Sequence, residues 1–207
     1  MNTNDPGCRA RERAEAQRDR ILDAARQCFT EHGFHAATIA NIAETAQVSA
    51  GLIYRYFENK NAIVLAIIDR QLRQARRDIA ALQTGMDAGD LVPRLARLWQ
   101  KNEPGDLDPV LFLEMSAEAS RNTEIAEALR QADRISADDF RGWLEGVAHS
   151  QGARPSPAEL RVRGIAMRSL IAGLAVYIVR DPGTDPDDLR AALEKVVPAL
   201  LRFDPAE

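Results

Sequence analysis

Cysteine is nearly missing from this 207-residue chain: Cys8 and Cys28 are too few for a disulfide framework. Cys28 falls among the apolar positions of a helical stretch and reads as a small core residue. Cys8 lies in a polar tail with glycine and proline, where disorder is expected. Histidine is as scarce, and His32, His35 and His149 show no metal-ligand spacing with cysteine or a carboxylate motif. There is no glycine-rich phosphate loop and no nucleophile elbow, so neither an enzyme nor a cofactor or metal is expected. Long apolar runs are missing too. The longest, Leu170 to Val179, is closed by Arg168-Ser169 and Arg180 and is too short to cross a bilayer. Met1 to Gln17 is polar throughout and does not read as a signal peptide. These absences point to a cytoplasmic protein with no membrane partner.

Charge gives little away. The formal net charge is −4, which alone argues against a nucleic-acid partner. Met1 to Ala80 carries 12 Lys and Arg against 10 Asp and Glu, and the remainder 15 against 21. Any DNA binding would rest on a few placed contacts rather than on a strong field.

What the chain has in quantity is helical pattern, with no strand-period segment and no internal repeat, and the fold class expected is all-α. A first helix over about Arg9 to His32 has Ile21, Ala25, Cys28 and Phe29 on one face, and Gly33 suits its C-cap. A helix from Asn59 or Lys60 carries Ile63, Val64, Ile67, Ile68, Leu72, Ala75 and Ile79 and ends before Gly85. A shorter one follows near Leu91 to Lys101. Asp108-Pro109 reads as N-cap and first residue of the next, to about Ser120, and Asn122 caps another to about His149. Ser156-Pro157-Ala158-Glu159 reads as a capping box, and Asp185-Pro186-Asp187-Asp188 as an acidic start suited to the positive helix end. Pro198 interrupts the last periodic stretch and is expected to kink or shorten that helix.

The most informative segment is Thr38 to Lys60, TIANIAETAQVSAGLIYRYFENK. Thr38 can cap a short helix with Ile39, Ile42, Ala43 and Ala46 on its buried face. Gln47-Val48 turns the chain, and Ser49 can cap a second helix, Ala50 to Tyr56, with Ile53 and Phe57 facing inward. Two short helices joined by a tight turn, the second polar and aromatic on one side, make the helix-turn-helix pattern. Together with Ile21-Leu22-Asp23-Ala24-Ala25, Phe29 and Gly33-Phe34, and with Asn59-Lys60 after it, this segment resembles the N-terminal domain of TetR-family transcriptional regulators. The match spans roughly Arg18 to Ile68; beyond it the likeness is architectural only.

Arg55 is the side chain of the second helix able to reach guanine O6 and N7 bidentately, unless it pairs with Glu58. Ala50 and Leu52 suit contact with a thymine methyl, Gly51 allows close backbone approach, and Tyr56 offers a ring and a hydroxyl. These five are the expected base-contact residues. Thr38 and Lys60 each begin a helix, where free N–H groups favour an anion. The resemblance implies that both grip the DNA backbone, and that Tyr54 contacts a phosphate as well; Ser49 completes the expected phosphate set. Core packing is the competing reading for Tyr54, a pure cap for Thr38, and plain solvation for Lys60.

The resemblance further implies two domains: a DNA-binding domain over 9–60, and an effector-binding and dimerisation domain over 61–207, linked by the helix at about 59–82. Ile165 to Val179 is apolar nearly all round and needs cover on both sides. With the last helix (Leu189, Leu193, Val196, Val197, Leu200, Leu201) it is expected to pair with a second copy. Leu170, Leu174, Tyr177, Leu193, Val197 and Leu200 are the interface residues. A pocket for an unidentified small-molecule effector is expected among Trp99, Phe112, Met115, Glu118, Phe140, Trp143 and Met167, with Glu114 and His149 as polar candidates. Glu114 and Glu118 on one turn hint at a cationic ligand. The sequence thus reads as a homodimeric repressor of a palindromic operator in double-stranded DNA, released by its effector. A protein-binding helical adaptor and a regulator without an effector are the alternatives.

Overall fold

The computed structural model describes residues 6–83, 91–97 and 108–204, and among these every regular element is α-helix. In chain order they are α1 (Pro6–Ala36), α2 (Ile39–Thr45), α3 (Ala50–Tyr56), α4 (Lys60–Gln83), α5 (Leu91–Arg97), α6 (Pro109–Ala119), α7 (Thr123–Ser150), α8 (Pro157–Arg180) and α9 (Pro186–Leu201).

The caps read from sequence do the expected work. Asp108 accepts from Leu111 N–H, Asn122 from Glu124 and Ile125 N–H, Ser156 from Glu159 N–H, and Asp185 from Asp187 N–H. Each satisfies backbone donors that the first helical turn leaves unpaired. Glu159 corrects one expectation: its carboxylate pairs with Arg163 at 2.8 Å. Pro198 corrects another. The last helix runs on past the proline to Leu201, and side chains take carbonyls that its C-terminal end leaves unpaired. Arg163 donates to Leu200 O (2.8 Å) and Arg202 O (2.7 Å), and Gln151 donates to Leu201 O (2.9 Å).

Two apolar cores form. In the first, Ile21, Leu22, Ala25, Cys28 and Phe29 of α1 meet Ile42, Ile53 and Phe57, then Ile63, Val64 and Ile67 of α4. Leu111 and Met115 of α6 and Ile125 of α7 complete it. Removing a side chain such as Ile53 or Ile63 from water contributes about 1.5–3 kcal/mol. The second core gathers Leu91 and Leu95 of α5, Trp143 and Leu144 of α7, Leu160, Met167 and Leu174 of α8, and Leu193, Val197 and Leu201 of α9. The first core crosses Lys60, where the sequence suggests a domain boundary, and draws α4 and α6 into one body with α1–α3.

This packing corrects the interface assignments. Leu174, Leu193 and Val197 are buried inside the chain itself, and Leu170 and Leu200 lean on the same core; of the six, only Tyr177 is exposed. The outward apolar face of α8 is instead Val162, Ile165, Val176, Tyr177 and Val179, joined by Val196 of α9. Periodicity shows that α8 is apolar on two sides but not which side meets its own core.

Candidate nucleic-acid interface

Residues 38–57 fold as a helix-turn-helix. Thr38 N–H and Oγ1 both donate to Asn41 Oδ1 (3.0 and 2.5 Å), while Asn41 N–H returns a bond to Thr38 Oγ1 (3.2 Å). That closed box fixes the start of α2. Ser49 Oγ accepts from Leu52 N–H at 3.2 Å and fixes the start of α3. Between them Gln47 has φ of 51°, a left-handed conformation uncommon outside glycine. Arg20 of α1 reaches across to Gln47 O (3.5 Å) and Oε1 (3.4 Å).

Around α3, Ile53 and Phe57 face the core, and Ala50, Gly51, Tyr54 and Arg55 face outward. Tyr54 is 57% exposed, far more than a packing role needs. Tyr56 is half-buried against the first core, and Leu52 is also partly covered. The outward face therefore offers one guanidinium, one phenol and a stretch with almost no side chain. It suits close approach to a groove, with Arg55 as its hydrogen-bonding reader.

Lys60 is more occupied than the sequence suggests. Its Nζ donates to Phe34 O (2.6 Å), Ala37 O (3.1 Å) and His35 O (3.4 Å), and lies 4.4 Å from the Phe34 ring centroid. Burial holds this ammonium below the usual lysine range, with the Glu118 charge pulling the other way. Lys60 thus clamps the α1–α2 corner, a role missed in the sequence because the three acceptors are backbone atoms more than twenty residues away.

Glu114 and Glu118 meet the same corner from α6. Glu114 Oε2 accepts from Phe34 N–H at 2.7 Å. It also stands 3.3 Å from where a Cβ on Gly33 would lie. Glu118, almost fully buried, has Oε2 3.1 Å from His35 Nε2, a pairing that becomes ionic when the imidazole is protonated. Thr30 Oγ1 donates to the α6 cap, Asp108 Oδ2, at 3.2 Å. The acidic pair read as a hint of a cationic ligand thus faces the α1–α2 corner.

Among the described residues, the expected pocket residues fall in two places. Met115 and Glu118, with Phe29, Phe34, Val64, Ile67, Leu111 and Glu114, line a gap of about 10 Å³, room for a single water. Trp143 and Met167 are buried in the second core, with Phe112 and Phe140 packed on it. Phe140 and Trp143 stack with centroids 5.1 Å apart. His149 is exposed, and Trp99 lies outside the described residues. Among the described residues, no group of three or more His, Cys, Asp or Glu could hold a metal ion.

Residues 21–67 match the family model described as bacterial regulatory proteins, tetR family. The HTH-type transcriptional regulator UidR of Escherichia coli K12 is 30% identical over 118 residues, covering 56% of this chain and 59% of UidR. This match takes in little more than half of that relative's length. The HTH-type transcriptional regulator TtgR of Pseudomonas putida is 27% identical over 214 residues, covering 96% of this chain and 97% of TtgR. Among solved structures, the transcriptional regulator FadR from Bacillus subtilis, in complex with stearoyl-CoA, superposes with a TM-score of 0.69 at 20% identity. That alignment covers 88% of this chain and 96% of FadR. At such identity the likeness shows a shared fold.

Proposed function

We propose, from the match of residues 21–67 to the tetR family of bacterial regulatory proteins and the likeness to TtgR along nearly the whole chain, that this chain is a cytoplasmic, homodimeric repressor of a palindromic DNA operator, released by a small-molecule effector. The single observation that carries the DNA reading is the outward face of α3, where Arg55 and a 57% exposed Tyr54 stand over two capped helix starts. Residues 9–60 serve DNA in this reading, with Arg55, Ala50 and Gly51 at base edges and Tyr54, Thr38 and Ser49 at phosphates. Tyr56 and Leu52 support that face from its flank. Residues 61–207 serve dimerisation and the effector.

Dimerisation is supported by the unpaired apolar face of α8. Val162 and Ile165 are 66% and 54% exposed, and a Cβ added at Gly173 would meet nothing within 4 Å. An isologous pairing over this face would present two recognition helices to a two-fold operator. FadR's complex with stearoyl-CoA shows one member of the fold holding a small molecule; the ligand of this chain is a different question. Coupling between such sites typically amounts to about 1–3 kcal/mol. Here it has two physical routes into the reading head: α4 through Lys60, and α6 through Asp108, Glu114 and Glu118.

The test is fluorescence anisotropy of the protein on the DNA flanking its own gene, against scrambled DNA, over a salt series. Specific binding that weakens with salt is expected. Arg55→Ala should cost about 1–3 kcal/mol of operator affinity while the thermal midpoint stays unchanged. Lys60→Ala does not serve this purpose, because it also releases the α1–α2 corner. Loss-free binding by Arg55→Ala would remove α3 as the reader.

A further inference from the structure

The reading above gives residues 9–60 to DNA but names no contact for the N-terminal half of α1. From Arg9 to Ala16 every residue is exposed, and the first fully buried side chain is Ile21, about 18 Å along the axis from Arg9. A helix that runs this far beyond its core carries a surface for something else. Its charges are sorted by side. At about 100° per residue, Arg9, Arg13 and Arg20 fall within about 40° of one another, and Arg11 and Arg18 form a second edge roughly opposite. The strip between the edges holds Ala10, Ala14 and Gln17, in line with Ile21, Ala25 and Cys28 of the buried face. Glu12, Glu15, Asp19 and Asp23 all lie in an arc of about 80° on the far side. There Arg70 of α4 takes Asp23 at 2.6 Å and stands 3.8 Å from Asp19.

The acid-free side also has a direction. Its two edges touch the two ends of the recognition helix: Arg20 meets Gln47, just before α3, and the Arg18 guanidinium lies 5.3 Å over the Phe57 ring, just after it. Both ends of the recognition helix therefore border this one side of α1, and the N-terminal half of α1 carries that side on beyond the core. In helix-turn-helix complexes the start of the second helix lies at base edges, so a neighbouring element meets phosphates first.

We propose that the N-terminal half of α1 is a second DNA-contacting element, lying along the phosphate backbone outside the site read by α3 and recognising charge rather than sequence. The proposal rests on α3 being the DNA reader, and its consequence is a footprint longer than the operator itself. Each phosphate engaged adds to the salt dependence of binding, with a slope of about 0.9 per contact.

The experiment uses a duplex that the full-length wild-type protein selects from a random-sequence pool, synthesised with flanks of about 3 or about 12 base pairs on each side. Wild type is compared with Arg9→Gln/Arg11→Gln/Arg13→Gln, which keeps helix propensity and leaves Arg18 and Arg20 in place at α3. On the long duplex the triple variant should bind more weakly, its salt slope shallower by about 2 to 5 for the arginines removed from a dimer. On the short duplex the two proteins should bind alike. Equal loss on both duplexes, or no loss on either, overturns the proposal and leaves α3 as reader. So does Glu12→Gln/Glu15→Gln tightening the long duplex as much as the arginine variant loosens it, since net charge and not a face would then be at work. If the wild type selects no sequence at all, the DNA reading itself fails, and this inference with it.

Discussion

Gly33 and Gln47 bracket α2 with positive φ, and they should answer substitution in opposite ways. Gly33, at φ 76° and ψ 160°, occupies a region that essentially only glycine visits. A methyl there would also press on the Glu114 carboxylate at 3.3 Å, and that carboxylate is needed by Phe34 N–H. Gly33→Ala should therefore cost about 1–3 kcal/mol, read as a lowered midpoint in thermal or urea unfolding. Gln47 sits at φ 51°, where any non-glycine residue carries a penalty of about 1–2 kcal/mol. Its side chain is exposed, and its bond to Arg20 is long at 3.4 Å, so little is lost with it. Gln47→Gly should raise stability by up to about 1 kcal/mol, or roughly 2–4 °C in midpoint. A fall in midpoint would mean that the Arg20 contact outweighs the backbone strain. That the chain departs from helical dihedrals at Gly33 was legible from sequence, although α1 resumes beyond it to Ala36 and the ψ of 160° is not that of the expected left-handed cap. The strain at Gln47 was not, because its conformation follows from how α2 and α3 meet.

At the scale of the element, local chemistry was legible and orientation was not. Every N-cap side chain named from sequence, from Thr38 to Asp185, accepts a backbone N–H in the structure, because this capping needs only residues within one turn. The faces of α8 and α9 were read less well. Leu174, Leu193 and Val197 satisfy the helical period as well as Val162 and Val176 do, and only tertiary packing assigns one set to the core. Lys60 shows the same limit at α4: its start was read correctly, but its grip on Phe34, His35 and Ala37 carbonyls was not. Some caps also act between elements. Asp108 starts α6 and accepts from Thr30 of α1, so Asp108→Ala should cost about 0.5–2 kcal/mol for the cap and also release the tie to α1. Thr30→Val removes the tie alone and should cost less, about 0.5–1.5 kcal/mol. Chemical denaturation of both variants separates the contributions. Equal losses would place the whole effect in the contact with α1.

At the scale of the molecule, the described residues form nine helices around two cores and leave a large apolar surface uncovered, and the consequence of that surface can be argued to a number. Val162, Ile165, Val176, Tyr177, Val179 and Val196 lie outside both cores. The α8 helix is long and apolar enough to cross a membrane by length and composition. One of its sides, however, is committed to the chain's own core through Leu160, Met167, Leu174 and Ala175. In the proposed dimer a second copy covers the other side without disturbing that packing. Val176→Glu places a charge on the uncovered face at a residue that belongs to neither core. It should leave the monomer's unfolding midpoint nearly unchanged while sedimentation shifts from dimer to monomer. Leu193→Ala is the opposite case: a core cavity costing about 2–5 kcal/mol of stability with no direct effect on association. Operator binding then follows the dimer. With two reading heads joined, the second half-site is engaged at high effective concentration, and unlinking them should weaken binding by about 10²–10⁴-fold. Val176→Glu remaining dimeric would refute the α8 interface. A monomeric Val176→Glu that kept full operator affinity would show that one recognition helix suffices, and that two-fold symmetry has no part in how this chain finds its site.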